Sequence, residues 1–266
     1  MRQDMRGAKA DETGRDIIYR YYSHLEALER RIRVGEHGVK MVFQWRRHTL
    51  SGTRGSSLSC YSGNRTSRRD DGTDAFTDES IQQHSLAFEK ANVIFNLAVA
   101  FAMQGASLIT DASADMDLES NRSAFECFRV AADRFHFISK NFMHPPSMDL
   151  QLETVNALDS IMLAQAQECA LTRAQIEKKK DVTLSKLAQH TALMYSGAFD
   201  STKAISDSHH LPRGWLLLIE TKLRYYQAMA QYHEARAENS KNHYGVAIAR
   251  LSLAEQHARE ATKLVG

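Results

Sequence analysis

Residues 86–103, LAFEKANVIFNLAVAFAM, constrain this chain more than any other stretch. On a helix, Phe88, Ala91, Phe95 and Ala98 form one face, and Leu86, Val93, Leu97 and Ala100 form a second. A helix that is apolar on two faces is buried nearly all round. The pattern therefore predicts an inner helix over about 82–104 of a many-helix protein. Glu89 and Lys90 interrupt the run. Neighbours in sequence point about 100° apart on a helix, so these two do not pair with each other. Each needs a partner on an adjoining helix or a route to water at the rim. A lysine reaches water by extending its stem, and an unpaired charge left in the core costs several kcal/mol. The pair reads as a structural polar network fixing helix register. A catalytic Glu/Lys pair is the alternative.

Elsewhere the 3.6-residue period recurs. Ile17, Tyr21, Tyr22, Leu25 and Leu28 predict a helix over 14–32, followed by Met41–Trp45 as a short strand or extended stretch. Phe125, Phe128, Ala132, Phe135, Ile138 and Phe142 make one stripe over 122–142, which His144-Pro145-Pro146 ends because proline cannot continue a helix. Further helices are predicted over 150–178, 181–199, 212–238 and 242–265. The second of these carries Leu184, Leu187, Thr191, Met194 and Ala198 on one face. The next has Trp215, Leu218, Lys222, Tyr225, Met229 and Tyr232 in a row. The last has Ala247, Leu251, Ala254, Ala258, Ala261 and Val265. With only three prolines and thirteen glycines, the chain reads as all-α, an irregular tetratricopeptide-like solenoid without a clean 34-residue repeat.

Several function classes find no support. A net charge of +2 gives no broad electrostatic reason to expect nucleic acid. Cys60, Cys127 and Cys169 are far apart and odd in number, so neither a zinc site nor a disulfide framework is predicted. HExxH, GxSxG, GxxxxGK[ST] and GxGxxG are absent. His209-His210 reads as a solvent-exposed loop pair, and His233-Glu234 lacks a second histidine. No catalytic residue, cofactor or metal is predicted. The N-terminus has no apolar core and does not read as a signal peptide. The apolar run Val93–Met103 is broken by Asn96 and is short for a bilayer. The chain reads as soluble, with any membrane role peripheral. Residues 46–73 are rich in Ser, Gly, Thr and Arg, and read as a disordered, solvated insert.

SLAFEKANVIFNLA resembles the signature helix of the Bro-one domain family (Alix-like), the boomerang-shaped helical domain. FQW followed by TDAF is similar to a continuous family motif, here split between Trp45 and Asp74 by the insert. NFMHPPSMDLQLETVNALDSIMLAQAQE, LSKLAQHTALMYSGA, LPRGWLLLIETK and YGVAIARLSLAEQHAREA follow in the family's order. The likeness covers about 15–265 and is nearest to the fungal class E vacuolar-sorting members. It implies a partial domain, shortened at both ends and interrupted at 46–73, which a gene segment misread as coding would explain. Gln151-Leu152 stands where the family has a helix-capping Ser-Pro.

The resemblance implies an adaptor, not an enzyme. Its partner would be the C-terminal amphipathic helix of an ESCRT-III filament subunit, bound helix-in-groove. The setting would be multivesicular-body sorting and protein transport to the vacuole. The protein would be cytoplasmic and recruited to endosomes as a peripheral membrane protein. A deubiquitinase would be a further partner, through regions absent here. Two apolar family positions in the partner patch fall on Thr183 and Leu187, of which only Leu187 keeps the apolar character. The alternatives are an ambient-pH signalling adaptor of the same family, or a generic helical peptide-binding scaffold.

Overall fold

The computed structural model describes residues 2–6, 8, 11–32, 43–45, 81–83, 85–111, 117–142, 145–206 and 213–265. The expectations for the insert at 46–73, for Cys60 and for His209-His210 lie outside these residues. Eight α-helices are described: α1 (Arg2–Arg6), α2 (Glu12–Arg31), α3 (Leu86–Asp111), α4 (Leu118–Asn141), α5 (Leu152–Ile176), α6 (Asp181–Ser206), α7 (Arg213–Ser240) and α8 (Tyr244–Val265). Two short strands, β1 (Phe43–Trp45) and β2 (Ile81–Gln83), pair antiparallel with Trp45 opposite Ile81. The predicted inner helix therefore begins at Leu86, not at 82, because 81–83 is committed to β2. The extended stretch read at 41–45 contains β1.

Each helix from α2 to α8 packs mainly on its neighbours in sequence: α2 on α3, α3 on α4, and so on to α7 on α8. This is the contact pattern of a quasi-one-dimensional helical array, the predicted solenoid. Local chemistry starts the helices. The Asp11 carboxylate accepts from the Gly14 N–H at 2.7 Å and caps α2, and Asp117 does the same for α4 through Ser120. Helix α5 lacks such a cap: the Gln151 side chain makes no capping hydrogen bond. A single 3-10 turn, Met148–Leu150, leads into it, and Thr154 Oγ1 donates back to the Met148 carbonyl at 2.9 Å.

Both predicted faces of α3 are buried, together with Glu89 and Asn92. Asn92 Nδ2 satisfies itself on the Phe88 carbonyl one turn earlier, at 2.7 Å. Phe95 meets Phe135 of α4 edge to face at 5.4 Å. Gly105 lets the two helices close, since a Cβ there would stand 3.1 Å from the Phe128 ring. By length and composition alone, Leu86–Ile109 could cross a bilayer, a longer stretch than the Val93–Met103 run suggested. In this fold it is packed between α2 and α4, and more than half of its most apolar window is buried.

Glu89 and Lys90 both find partners on the helices that precede α3. Glu89 is fully buried. It takes Arg2 Nε at 2.8 Å and the Tyr21 hydroxyl at 2.5 Å. Lys90 extends to Glu26 and Glu29 of α2, each at 2.5 Å, where the carboxylates are wetter. The sequence reading assigned no structure to the first eleven residues, yet α1 supplies Arg2 and buries Met5.

Two helical rows differ from the sequence reading. The buried stripe of α7 is Trp215, Ile219, Leu223, Tyr226 and Ala230. Of the row read from the sequence, Trp215 is in that stripe, Leu218, Lys222 and Met229 are half-buried beside it, and Tyr225 and Tyr232 are exposed. On α8, Ala247 and Ala254 are buried, whereas Leu251 and Val265 are exposed. Both helices carry two apolar stripes, and periodicity alone does not choose between them.

Removing one member of a buried ion pair costs about 3–5 kcal/mol. Arg2 keeps 29% of its side-chain surface, so Arg2→Ala should cost less, about 2 kcal/mol. Urea unfolding should show that loss, and a change within error would mean that Arg2 does not hold Glu89 in solution.

Candidate functional site

Three helices, α5, α6 and α7, are locked to each other by one carboxylate. Glu168 of α5 accepts from the Tyr195 hydroxyl of α6 at 2.5 Å and from Lys222 Nζ of α7 at 2.7 Å. Tyr195 is fully buried and stacks on Tyr226 of α7, with ring centroids 5.6 Å apart and planes within 6°. Lys222 Nζ sits 5.5 Å above the Tyr195 ring, adding a cation–π contact. Burial pushes the Glu168 carboxyl up, but the Lys222 charge and the lysine and tyrosine hydrogen bonds outweigh it and hold the group below its usual range. Burial pushes the Cys169 thiol up to about 12, which removes it as a nucleophile. Among the described residues no three His, Cys, Asp or Glu side chains group as a metal site. His233 is bound instead to Asp181 at 2.8 Å, and Arg236 joins the same carboxylate at 3.3 Å.

This lock fixes the direction in which α6 faces. Ser185 Oγ donates to the Ala230 carbonyl of α7 at 3.2 Å, and Asp181 is held by His233 and Arg236 of α7. That margin of α6 therefore faces α7. The row Thr183, Leu187, His190 and Met194 lies on the other margin, toward α5. Thr183 is exposed in the first turn, with its N–H on the Lys180 carbonyl at 2.8 Å. Leu187 and Met194 are half-buried against the core edge. Leu187 is thus neither a wholly buried core leucine nor a free one.

Helices α5 and α6 run antiparallel across a short turn, so residues equidistant from that turn lie alongside each other. By that count Ala170 falls level with Leu187, and Leu163 level with Met194. Leu163 is exposed, and Gln167 and Ala170 are half-buried. The result is a shallow apolar strip of Leu163, Gln167, Ala170, Thr183, Leu187, His190 and Met194, with no carboxylate, lysine or arginine in it. Sequence reasoning named two of these residues. It missed the α5 half, because Leu163 and Ala170 lie in an apolar run of α5 in which the sequence marks no exposed face. The narrow gap that α5 leaves uncovered is visible only once its two neighbours are placed. Glu89 and Lys90 lie on α3, two helices away in the array, and take no part in the strip.

Comparison with known proteins gives these residues a setting. The BRO1-like domain family model matches residues 73–265. Over 99% of its length the chain is 37% identical to the vacuolar protein-sorting protein bro-1 of Neurospora crassa, of which it spans 23%. Two solved structures are similar at 25% identity. One is a complex of the ALIX BRO1 domain with CHMP4C, matched at a TM-score of 0.75 over 98% of this chain and 67% of that one. The other is a Bro1 domain structure concerned with endosomal targeting, at a TM-score of 0.71 over 94% of this chain and 62% of that one. The chain thus spans about a quarter of the sorting protein it matches.

The depressed Glu168 pKa sets a pH dependence. An unfolded glutamate titrates near ~4.3. A group with a lower folded pKa adds stability above that value and loses it as pH falls through the folded pKa. Glu168→Gln should lower stability at pH 7 by about 1.5–3 kcal/mol, the range for hydrogen bonds to a charged group. The gap to wild type should shrink below about pH 4. Urea titrations at pH 7 and pH 3 check this, and an equal gap at both would refute the lock.

Proposed function

This chain belongs to the BRO1-like domain family, and on that premise we propose that it is an adaptor that binds the C-terminal amphipathic helix of an ESCRT-III filament subunit. The binding surface is the α5–α6 strip. The observation that carries this reading is the likeness, over nearly the whole chain, to a BRO1 domain solved with CHMP4C bound. The strip fits such a ligand chemically. An amphipathic helix needs a long, shallow, uncharged surface for its apolar face. Leu163, Ala170, Leu187 and Met194 provide one along two antiparallel helices that Glu168 holds rigid. Thr183 weakens one end of it, so the affinity is below that of a strip with two aliphatic residues four apart.

The reading carries no catalytic step. It places the adaptor in multivesicular-body sorting and protein transport to the vacuole, as a cytoplasmic protein recruited peripherally to endosomes. That setting follows the sorting relative and the endosomal-targeting structure. Deubiquitinase recruitment falls to sequence beyond this stretch.

Burying a leucine at an interface stabilises a complex by roughly 1.5–3 kcal/mol. Leu187→Asp should therefore weaken peptide binding at least about tenfold. Thr183→Ile should tighten it by adding apolar area at the weak end. Fluorescence anisotropy with the labelled peptide measures both, and circular dichroism confirms that the Leu187 variant stays helical. Native helicity with unchanged binding would remove the strip from consideration.

A further inference from the structure

We propose that Thr183 is a phosphorylation site and that a phosphoryl group on it releases the partner helix from the α5–α6 strip; the release rests on the adaptor reading above. Thr183 is exposed in the first turn of α6, and its hydroxyl makes no hydrogen bond among the described residues. Ser185, two residues on, is the other hydroxyl nearby. It is buried, and its Oγ donates to the Ala230 carbonyl at 3.2 Å. Of the two, only Thr183 is open to an enzyme. Helices α5 and α6 each pack on a described helix on both sides, so Thr183 stands away from the ends of the array. A protein kinase reads charges by their order along the acceptor segment. Lys178, Lys179 and Lys180 precede Thr183 by five, four and three positions, and Lys186 follows it by three. The enzyme class implied is a kinase that selects basic flanks. From Ile176 to Thr183 every residue but Asp181 is exposed. Few buried contacts are lost when such a stretch opens locally to enter a kinase.

In the transfer, Thr183 Oγ1 attacks the γ-phosphorus of a nucleoside triphosphate. A new O–P bond forms and the bond from that phosphorus to the bridging oxygen breaks. The nucleoside diphosphate leaves, and the hydroxyl proton passes to the kinase's catalytic aspartate. The product carries a charge of about −1.5 to −2 at pH 7. It lies one turn before Leu187, at the end of a strip that holds no carboxylate, lysine or arginine. A docked apolar face would take that charge out of water, which is costly. Lys186 is within reach on the same helix, three residues on. It is exposed and makes no ion pair of its own among the described residues. Pairing with it does not rescue docking, because covering the pair costs both ions their hydration. Negative charge suits the first turn of a helix, so the modified α6 stays folded and the effect falls on binding.

The test takes the full chain, the catalytic domain of protein kinase C with Mg-ATP, and the labelled C-terminal helix of an ESCRT-III filament subunit. Mass spectrometry should place a phosphoryl group on Thr183, and Lys178→Ala with Lys180→Ala should slow the transfer severalfold. Fluorescence anisotropy should then show peptide binding weakened by at least about tenfold, with helicity by circular dichroism unchanged. Thr183→Val should take no phosphate at that position, and kinase treatment should leave that variant's own affinity where it was. Two results overturn the proposal. One is no transfer to Thr183 under conditions in which the kinase fully phosphorylates a basic peptide substrate. The other is a chain phosphorylated at Thr183 that binds the peptide as tightly as the unmodified chain, which would leave the adaptor reading standing. An unmodified chain that binds no peptide would overturn the adaptor reading and the release with it, whatever the mass spectrum shows.

Discussion

One half-buried carboxylate sets the geometry on which the α5–α6 strip depends. Glu168 holds Tyr195 of α6 and Lys222 of α7 from its place on α5. Hydrogen bonds to a charged acceptor in a low-dielectric site are strong, and leaving one unmade is costly. The three helices therefore dock in one register. That register turns Leu187 and Met194 toward α5 and places Tyr225 and Tyr232 on the outer flank of α7. An apolar cluster of the same volume would hold the helices together as well, but it would specify their rotation less.

The same arrangement recurs at the start of the array. Glu89 and Lys90 are adjacent in sequence and diverge on the helix, so they reach different partners on α1 and α2. A helix as apolar as α3 has many acceptable rotations against its neighbours. Two ion pairs pointing in different directions leave one. In an array where helices contact mainly their sequence neighbours, such polar locks stop rotational error from accumulating from helix to helix.

Much of this was legible in the sequence. The two-sided pattern of α3 predicted its burial, and the stripe from Phe128 to Ile138 predicted the face of α4. The lack of a cap at Gln151 was visible as a departure from the family pattern. What was not legible depended on tertiary placement. Leu163 and Ala170 look like core until α4 and α6 are positioned on either side of α5. Tyr225 and Tyr232 share the helical period of the true core row one step away, so only the packing of Tyr226 on Tyr195 decides which row is buried. Arg2 lies in a polar N-terminal stretch with no apolar period, and its pairing across 87 residues with Glu89 leaves no local signal.

The central claim, that the α5–α6 strip is the partner surface, is tested most directly by amide hydrogen exchange. The full chain would be measured with and without the C-terminal helix of an ESCRT-III filament subunit. The account predicts added protection in 163–170 and 183–194, with little change in 225–232 and 248–258. Protection confined to the α7–α8 segments, or none at a peptide concentration that saturates the chain, would contradict it.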